Sequence, residues 1–112
     1  MPKYCGLHII LEMEKHIAHY ALSAIKAAVT EKGVVAFTKA ARKNIKLMDM
    51  SMKEAMEVVV MLTPHMFYKS MTSYADYRVW QDVYHAPCPN GKTAYIKLTL
   101  SDGAPVVQFK EK

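Results

Sequence analysis

The sequence predicts an α+β domain in which helices come first and an antiparallel sheet follows. Apolar residues recur at helical spacing as far as Leu62, the period switches to two after residue 67, and "PNG" and "SDGA" punctuate the second half as turns. A chain of 112 residues is long enough to bury one core and too short for two. One domain is therefore expected over residues 13–112, with 1–12 as an extension.

Within that extension "GLHIIL" reads either as an added edge strand or as a segment outside the fold. From Tyr20 to Lys32, Leu22, Ile25 and Val29 repeat at helical spacing among helix-forming alanines, and Gly33 is a C-terminal stop. "VVAFT" at 34–38 is β-branched and aromatic, a short strand candidate, and "KAARKNIKLM" returns to helical composition. "SMKE" at 51–54 is a capping box, so a third helix starts at Met52. Thr63 and Pro64 predict a further short helical turn. Seven of the nine methionines fall between 48 and 71, a pattern read as core filling ahead of an adaptable binding surface.

Three segments, "RVWQDVY", "TAYIKLTL" and "PVVQFK", then read as strands. In the second, Ala94, Ile96, Leu98 and Leu100 point to the core while Thr93, Tyr95, Lys97 and Thr99 point away. In the third, Val107 and Phe109 point inward and Gln108 and Lys110 outward. A loop at 101–104 sets Leu100 opposite Pro105, and so Lys97 opposite Gln108 and Tyr95 opposite Lys110. The first of the three is harder: Val79 and Val83 look like core residues, which turns Gln81 inward with them and sends Arg78, Trp80, Asp82 and Tyr84 the other way. A bulge is the device that would free Gln81.

Fifteen Lys and Arg against ten Asp and Glu give a formal charge of +5, which favours a polyanionic partner such as nucleic acid. Part of the excess is organised: Lys39, Arg42, Lys43 and Lys46 fall at i, i+3, i+4 and i+7, one basic stripe along the second helix. Either a solvated face or a phosphate-facing one fits it. Cys5 and Cys88 are too few for a disulfide scaffold, and no apolar run has the length of a membrane span or the form of a cleavable signal. A soluble, cytoplasmic protein is expected.

The segment "FYKSMTSYADYRVWQDVYH", residues 67–85, packs six aromatic residues into nineteen positions. With the later "AYIKLTL" and the terminal "VVQFKEK" it resembles the MqsR toxins of toxin–antitoxin systems. The resemblance is strongest over residues 67–112, and "MEKHIAHYALSAIK" from Met13 is similar to the family's opening. By that comparison residues 1–12 are an extension or follow an upstream start codon. The resemblance implies a RelE-like fold and a metal-independent, cofactor-free endoribonuclease that cuts messenger RNA. A cognate MqsA-like antitoxin would hold it inactive and could carry the complex to DNA. Matched position by position, the implied catalytic residues are Lys69, Gln81, Tyr95 and Lys110. Arg78, Lys97, Tyr84 and the stripe Lys39, Arg42, Lys43 and Lys46 are the expected RNA-contacting residues. A non-catalytic RNA-binding module, using the stripe for phosphates and Tyr or Trp rings for stacking, is the competing function. A pure interaction protein docking through the Met-rich helices is a third.

Metal-free RNA cleavage needs a base for the 2′-OH, positive charge for the crowded phosphate and an acid for the 5′-oxygen. Lys69 and Lys110 supply charge, Tyr95 donates or orients, Gln81 can only hydrogen-bond, and the base is left unassigned. His85 titrates near neutrality, which makes it a natural alternative acid or base, but the family motif does not require it, so a turn histidine is expected there, and likewise at His65. "CGLH" and "HAPC" space Cys5, His8, His85 and Cys88 as two possible zinc half-sites; nothing in the resemblance calls for a metal.

Overall fold

A computed structural model describes residues 13–112; the expectations for "GLHIIL" and "CGLH" fall outside the described residues. β1 (Glu14–Lys15) precedes the helices α1 (Leu22–Lys32), α2 (Lys39–Leu47) and α3 (Met52–Val60). β2 (Phe67–Thr72), β3 (Trp80–Pro87), β4 (Thr93–Ser101) and β5 (Ala104–Glu111) follow, and the five strands form one antiparallel sheet in the order β1-β2-β3-β4-β5. Among the described residues no helix is long and apolar enough to cross a membrane.

Local chemistry explains the helix limits. Gly33 ends α1 at φ 75°, a conformation costly for a side chain, and its N–H donates to the Val29 carbonyl. Thr38 caps α2 by accepting from the Ala41 N–H at 3.0 Å. At α3 both halves of the box form: Ser51 Oγ accepts from the Glu54 N–H, and Glu54 Oε1 accepts from the Ser51 N–H. Ser51→Ala is expected to cost about 1 kcal/mol, read from a urea midpoint that shifts with its slope unchanged.

All three helices pack on one side of the sheet. Ile25 and Val29 of α1, Ala41 and Ile45 of α2, and Ala55, Val58 and Val59 of α3 meet Tyr84, Ile96, Leu98, Val107 and Phe109 from the strands. Met48 and Met50 are buried in this core, and Met52, Met56 and Met66 pack against it, so methionine fills space here, as expected. Burying each large aliphatic or aromatic group contributes roughly 1.5–3 kcal/mol. Among the described residues, no helix lies over the opposite face of the sheet.

Residues 34–38 are not a strand. Gly33–Ala36 is a 3-10 turn, and Phe37 makes a single parallel bridge to Val107. Phe37 is drawn into the core while Val34 and Val35 stay exposed, so the segment acts as a plug instead of a ladder. It also covers β5, an edge strand that would otherwise offer free backbone groups: the Thr38 N–H donates to the Val107 carbonyl, and Asn44 Nδ2 donates to that of Phe109.

The β4–β5 hairpin has the expected register, with Tyr95 opposite Lys110, Lys97 opposite Gln108 and Leu100 opposite Pro105. Asp102 and Gly103, both at positive φ, form its two-residue turn. Two strands went unread: β1, only two residues long, and β2 at "FYKSMT". Between Phe67 and Lys69 the β2–β3 register shifts, because Phe67 pairs with Tyr84 and Lys69 already with Val83. Tyr68 is the extra residue of that bulge.

Candidate active site on the open sheet face

The phase of β3 is the reverse of the one expected. Tyr84 pairs with Ile96 and faces the helices; Val83 pairs with Lys97, and His85 with Tyr95, on the open face. Val83 is fully buried there because it lies on a central strand flanked by Lys69 and Lys97, whose stems cover it. Val79 and Arg78 precede the strand altogether. Gln81 therefore shares the open-face phase by ordinary alternation, with no bulge in β3, although its side chain is buried there like that of Val83.

Three rows of side chains result. His85, Tyr95 and Lys110 form one by direct pairing across β3, β4 and β5; Lys69, Val83, Lys97 and Gln108 form the next; Gln81 and Met71 lie in a third. Lys69, Gln81, Tyr95 and Lys110 thus share one face. Gln81 stands two rows from Tyr95, about 13 Å along the strand direction at ~3.3 Å per residue.

Charge is concentrated around Tyr95. Lys110 Nζ lies 5.0 Å and Lys97 Nζ 6.0 Å from its ring centroid. Lys69 Nζ donates to Glu14 Oε2 on β1 and lies 5.4 Å from the Tyr68 ring. That hydrogen bond to Glu14, more than any other influence, raises the Lys69 pKa above its ordinary value, so Lys69 stays an ammonium at neutral pH and serves as charge, not base. Lys97 goes the other way: burial first, then repulsion from Lys110 and Lys69, lowers its pKa. Beyond this face a cleft of about 100 Å³ continues round the β5 edge, lined by Tyr95, Lys97, Gln108 and Lys110 from the sheet and by Thr38 and Asn44.

Several expected RNA contacts are not part of this face. Tyr84 is buried on the helix side, 5.5 Å edge-on to Phe67, and burial, with the Asp82 charge adding to it, pushes its phenol up to about 12; it is not presented on the open face. Arg78 lies in the β2–β3 loop, its guanidinium forked onto Asp76 through Nε at 3.0 Å and Nη2 at 3.2 Å. Lys39, Arg42, Lys43 and Lys46 are exposed on α2, but Ala40, Ala41 and Asn44 line the cleft. The stripe occupies the solvent side of the helix, away from Tyr95. Trp80 is stacked on His19 at 5.5 Å with Lys15 Nζ 4.2 Å from its ring, so it is already engaged.

His85 is no turn residue. It belongs to β3, and its ring lies 4.4 Å and 25° from Tyr68 and 5.4 Å from Tyr95. Cys88, three residues on, is buried in the core on the other side of the sheet, so "HAPC" does not converge on one point. Among the described residues no group of three or more His, Cys, Asp or Glu gathers to hold a metal ion. His65 sits in the 3-10 turn Pro64–Met66, as expected. Glu14 and Tyr68 were missed outright. A bulge shows only in the pairing, and a carboxylate 55 positions from its lysine leaves no local signal.

Fold and face together define a small α+β protein whose open sheet gathers ammonium groups around a phenol. A family model described as "Motility quorum-sensing regulator, toxin of MqsA" matches residues 17–111. The chain is also 37% identical over 100 residues to the mRNA interferase toxin MqsR of Escherichia coli (strain K12), covering 89% of this chain and all of that protein. The chain belongs to the MqsR toxin family.

Proposed function

We propose that this chain is the toxin of a toxin–antitoxin pair: an endoribonuclease that cleaves messenger RNA in the cytoplasm without a metal, by attack of the 2′-OH on the neighbouring phosphate. A cognate antitoxin of the MqsA kind would neutralise it and could carry the complex to DNA. The reading rests above all on one observation: the four positions that carry the family residues, Lys69, Gln81, Tyr95 and Lys110, share the sheet face that no helix among the described residues covers. Residues 13–112 are its working unit.

In this mechanism the scissile phosphate sits over Tyr95, among Lys69, Lys97 and Lys110. Their ammonium groups neutralise the extra negative charge of the five-coordinate phosphorus, an electrostatic contribution of about 10²–10³-fold for one well-placed donor. The Tyr95 hydroxyl orients a phosphoryl oxygen. Lys97, whose pKa is lowered by burial and its lysine neighbours, gives up a proton more readily than an ordinary lysine and suits the departing 5′-oxygen. Gln81, two rows away, hydrogen-bonds a flanking nucleotide instead of the reacting phosphate. Tyr68, half exposed at the bulge, offers a stacking surface to an unpaired base, and the α2 stripe attracts phosphates farther along the strand.

The test is digestion of RNA by antitoxin-free protein with and without EDTA. Equal cleavage in both is the expected result, whereas loss with EDTA overturns the metal-free route. Salt-sensitive binding with no scission would favour the non-catalytic binding module.

A further inference from the structure

We propose that His85 is the general base that takes the proton from the ribose 2′-OH. The inference rests on the ribonuclease reading above and supplies the one service that the lysines, the tyrosine and the glutamine leave unassigned. His85 pairs across the sheet with Tyr95, which pairs with Lys110, so its ring is in the row where the phosphate is held. Tyr68 stacks on it at 4.4 Å and Tyr95 lies at 5.4 Å, which fixes the ring plane. Its Nε2 is buried and has no hydrogen-bond partner among the described residues. A buried imidazole nitrogen left without a partner needs an explanation; an acceptor that a substrate hydroxyl reaches once RNA displaces the side chains over it provides one.

The groups facing it are Tyr68 and Lys69 from β2, Tyr95 and Lys97 from β4, Lys110 from β5, and Lys112, the residue after that strand. None of these described residues is a carboxylate, so none of them holds a proton on the ring before RNA arrives. Burial first, and the Lys112 charge second, lower the His85 pKa below 6.5, and the imidazole is neutral at pH 7. The basic alternatives at this face are less suited. A lysine must fall from about 10.4 to reach neutrality, and the Glu14 carboxylate is bound to Lys69.

In the step itself, a neutral ring nitrogen takes the 2′-OH proton as the 2′-oxygen bonds to phosphorus. The P–O5′ bond breaks with its electron pair going to O5′, and O5′ takes a proton from a lysine ammonium. The products are a 2′,3′-cyclic phosphate and a 5′-hydroxyl end. The phosphate's growing negative charge stabilises the imidazolium, so the base is strongest when substrate is bound.

The experiment measures kcat/KM for a fluorogenic RNA from pH 4.5 to 8.5 for the wild type, His85→Asn and His85→Gln, in EDTA. Binding of each to the same oligonucleotide with a 2′-deoxyribose at the scissile position is measured alongside. The expected wild-type profile rises tenfold per pH unit on the acid side, bends below 6.5 and levels. Both variants are expected to lose about 10²–10⁴-fold and the acid limb with it, while binding to the deoxy oligonucleotide changes less than threefold. A wild-type profile with no acid limb overturns the proposal without any variant. So does a limb that persists in either variant, or a variant rate within threefold of wild type. Wild-type protein that yields no cyclic phosphate at any pH overturns the ribonuclease reading instead, and this inference with it.

Discussion

Replacing Lys69 with alanine is expected to lower kcat/KM for RNA cleavage by about 10²–10³-fold with the fold intact. Lys69 follows the bulge residue of β2, and its side chain crosses the open face toward Glu14 on the edge strand. It is an exchangeable partner: the carboxylate that holds it in the free protein is half exposed, and a phosphate competes with that carboxylate for the same ammonium. Removing the lysine deletes a charge aimed at the reacting phosphate and uncovers part of Val83 on the open face, while the helix-side core is untouched. The companion substitution Glu14→Gln separates the two effects. It removes the competitor and leaves Lys69 an ammonium at neutral pH, because the Glu14 contact had raised a pKa that was already alkaline. Tighter RNA binding by a few fold, read by fluorescence anisotropy on a non-cleavable 2′-deoxy oligonucleotide, is the expected outcome. Equal cleavage by Lys69→Ala and wild type would remove Lys69 from the mechanism.

Asp82→Ala is expected to destabilise the protein by about 2–4 kcal/mol. The Asp82 carboxyl group is buried between the sheet and the segment leading into α1. Oδ1 accepts from the Ser70 hydroxyl at 2.6 Å and the His19 N–H at 3.0 Å, and Oδ2 accepts from the Tyr20 N–H at 2.8 Å. Tyr20 adds its own bond, the phenol donating to the Trp80 carbonyl at 2.7 Å. Alanine would leave the Ser70 hydroxyl and those two backbone N–H groups short of their acceptor, and unmade bonds cost more than made ones contribute. A melting temperature lower by about 4–8 °C per kcal/mol checks the estimate. Asp82→Asn, which keeps one oxygen acceptor, is expected to lose less. The aspartate of "WQDVY" is thus a fastener of the N-terminal segment, and its neighbour Gln81 is the one that faces the site.

What the sequence made legible was local. The capping box at Ser51 and Glu54, the glycine stop after α1 and the pairing of Tyr95 with Lys110 each depend on residues close in the chain or on one tight turn, and each is present. The phase of β3 was not local. Valine on a strand reads as core, yet Val83 is buried by lysine stems on the open face, while Tyr84 and Asp82, which read as surface residues, face the helices. Alternation was correct and its origin was not, and one wrong choice exchanged Tyr84 for His85 as the residue at the site. The bulge at Tyr68 and the Glu14–Lys69 pair were out of reach for a related reason: both exist only once β1, β2 and β3 are side by side. The segment 34–38 had strand composition but no neighbour along which to extend, since β5 accepts it at Phe37 alone.

The central claim, that this sheet face cleaves RNA through the 2′-OH with no metal, is tested most directly by substituting one atom in the substrate. An RNA is digested in EDTA, its cleavage site is mapped, and the same oligonucleotide is remade with a single 2′-deoxyribose on the 5′ side of the scissile bond. Mass spectra of the fragments are recorded for both. Complete resistance of the deoxy substrate at that bond, with 2′,3′-cyclic phosphate and 5′-hydroxyl ends from its parent, is the expected result. Cleavage of the deoxy substrate at the same position, or a 5′-phosphate on the parent's product, would contradict it.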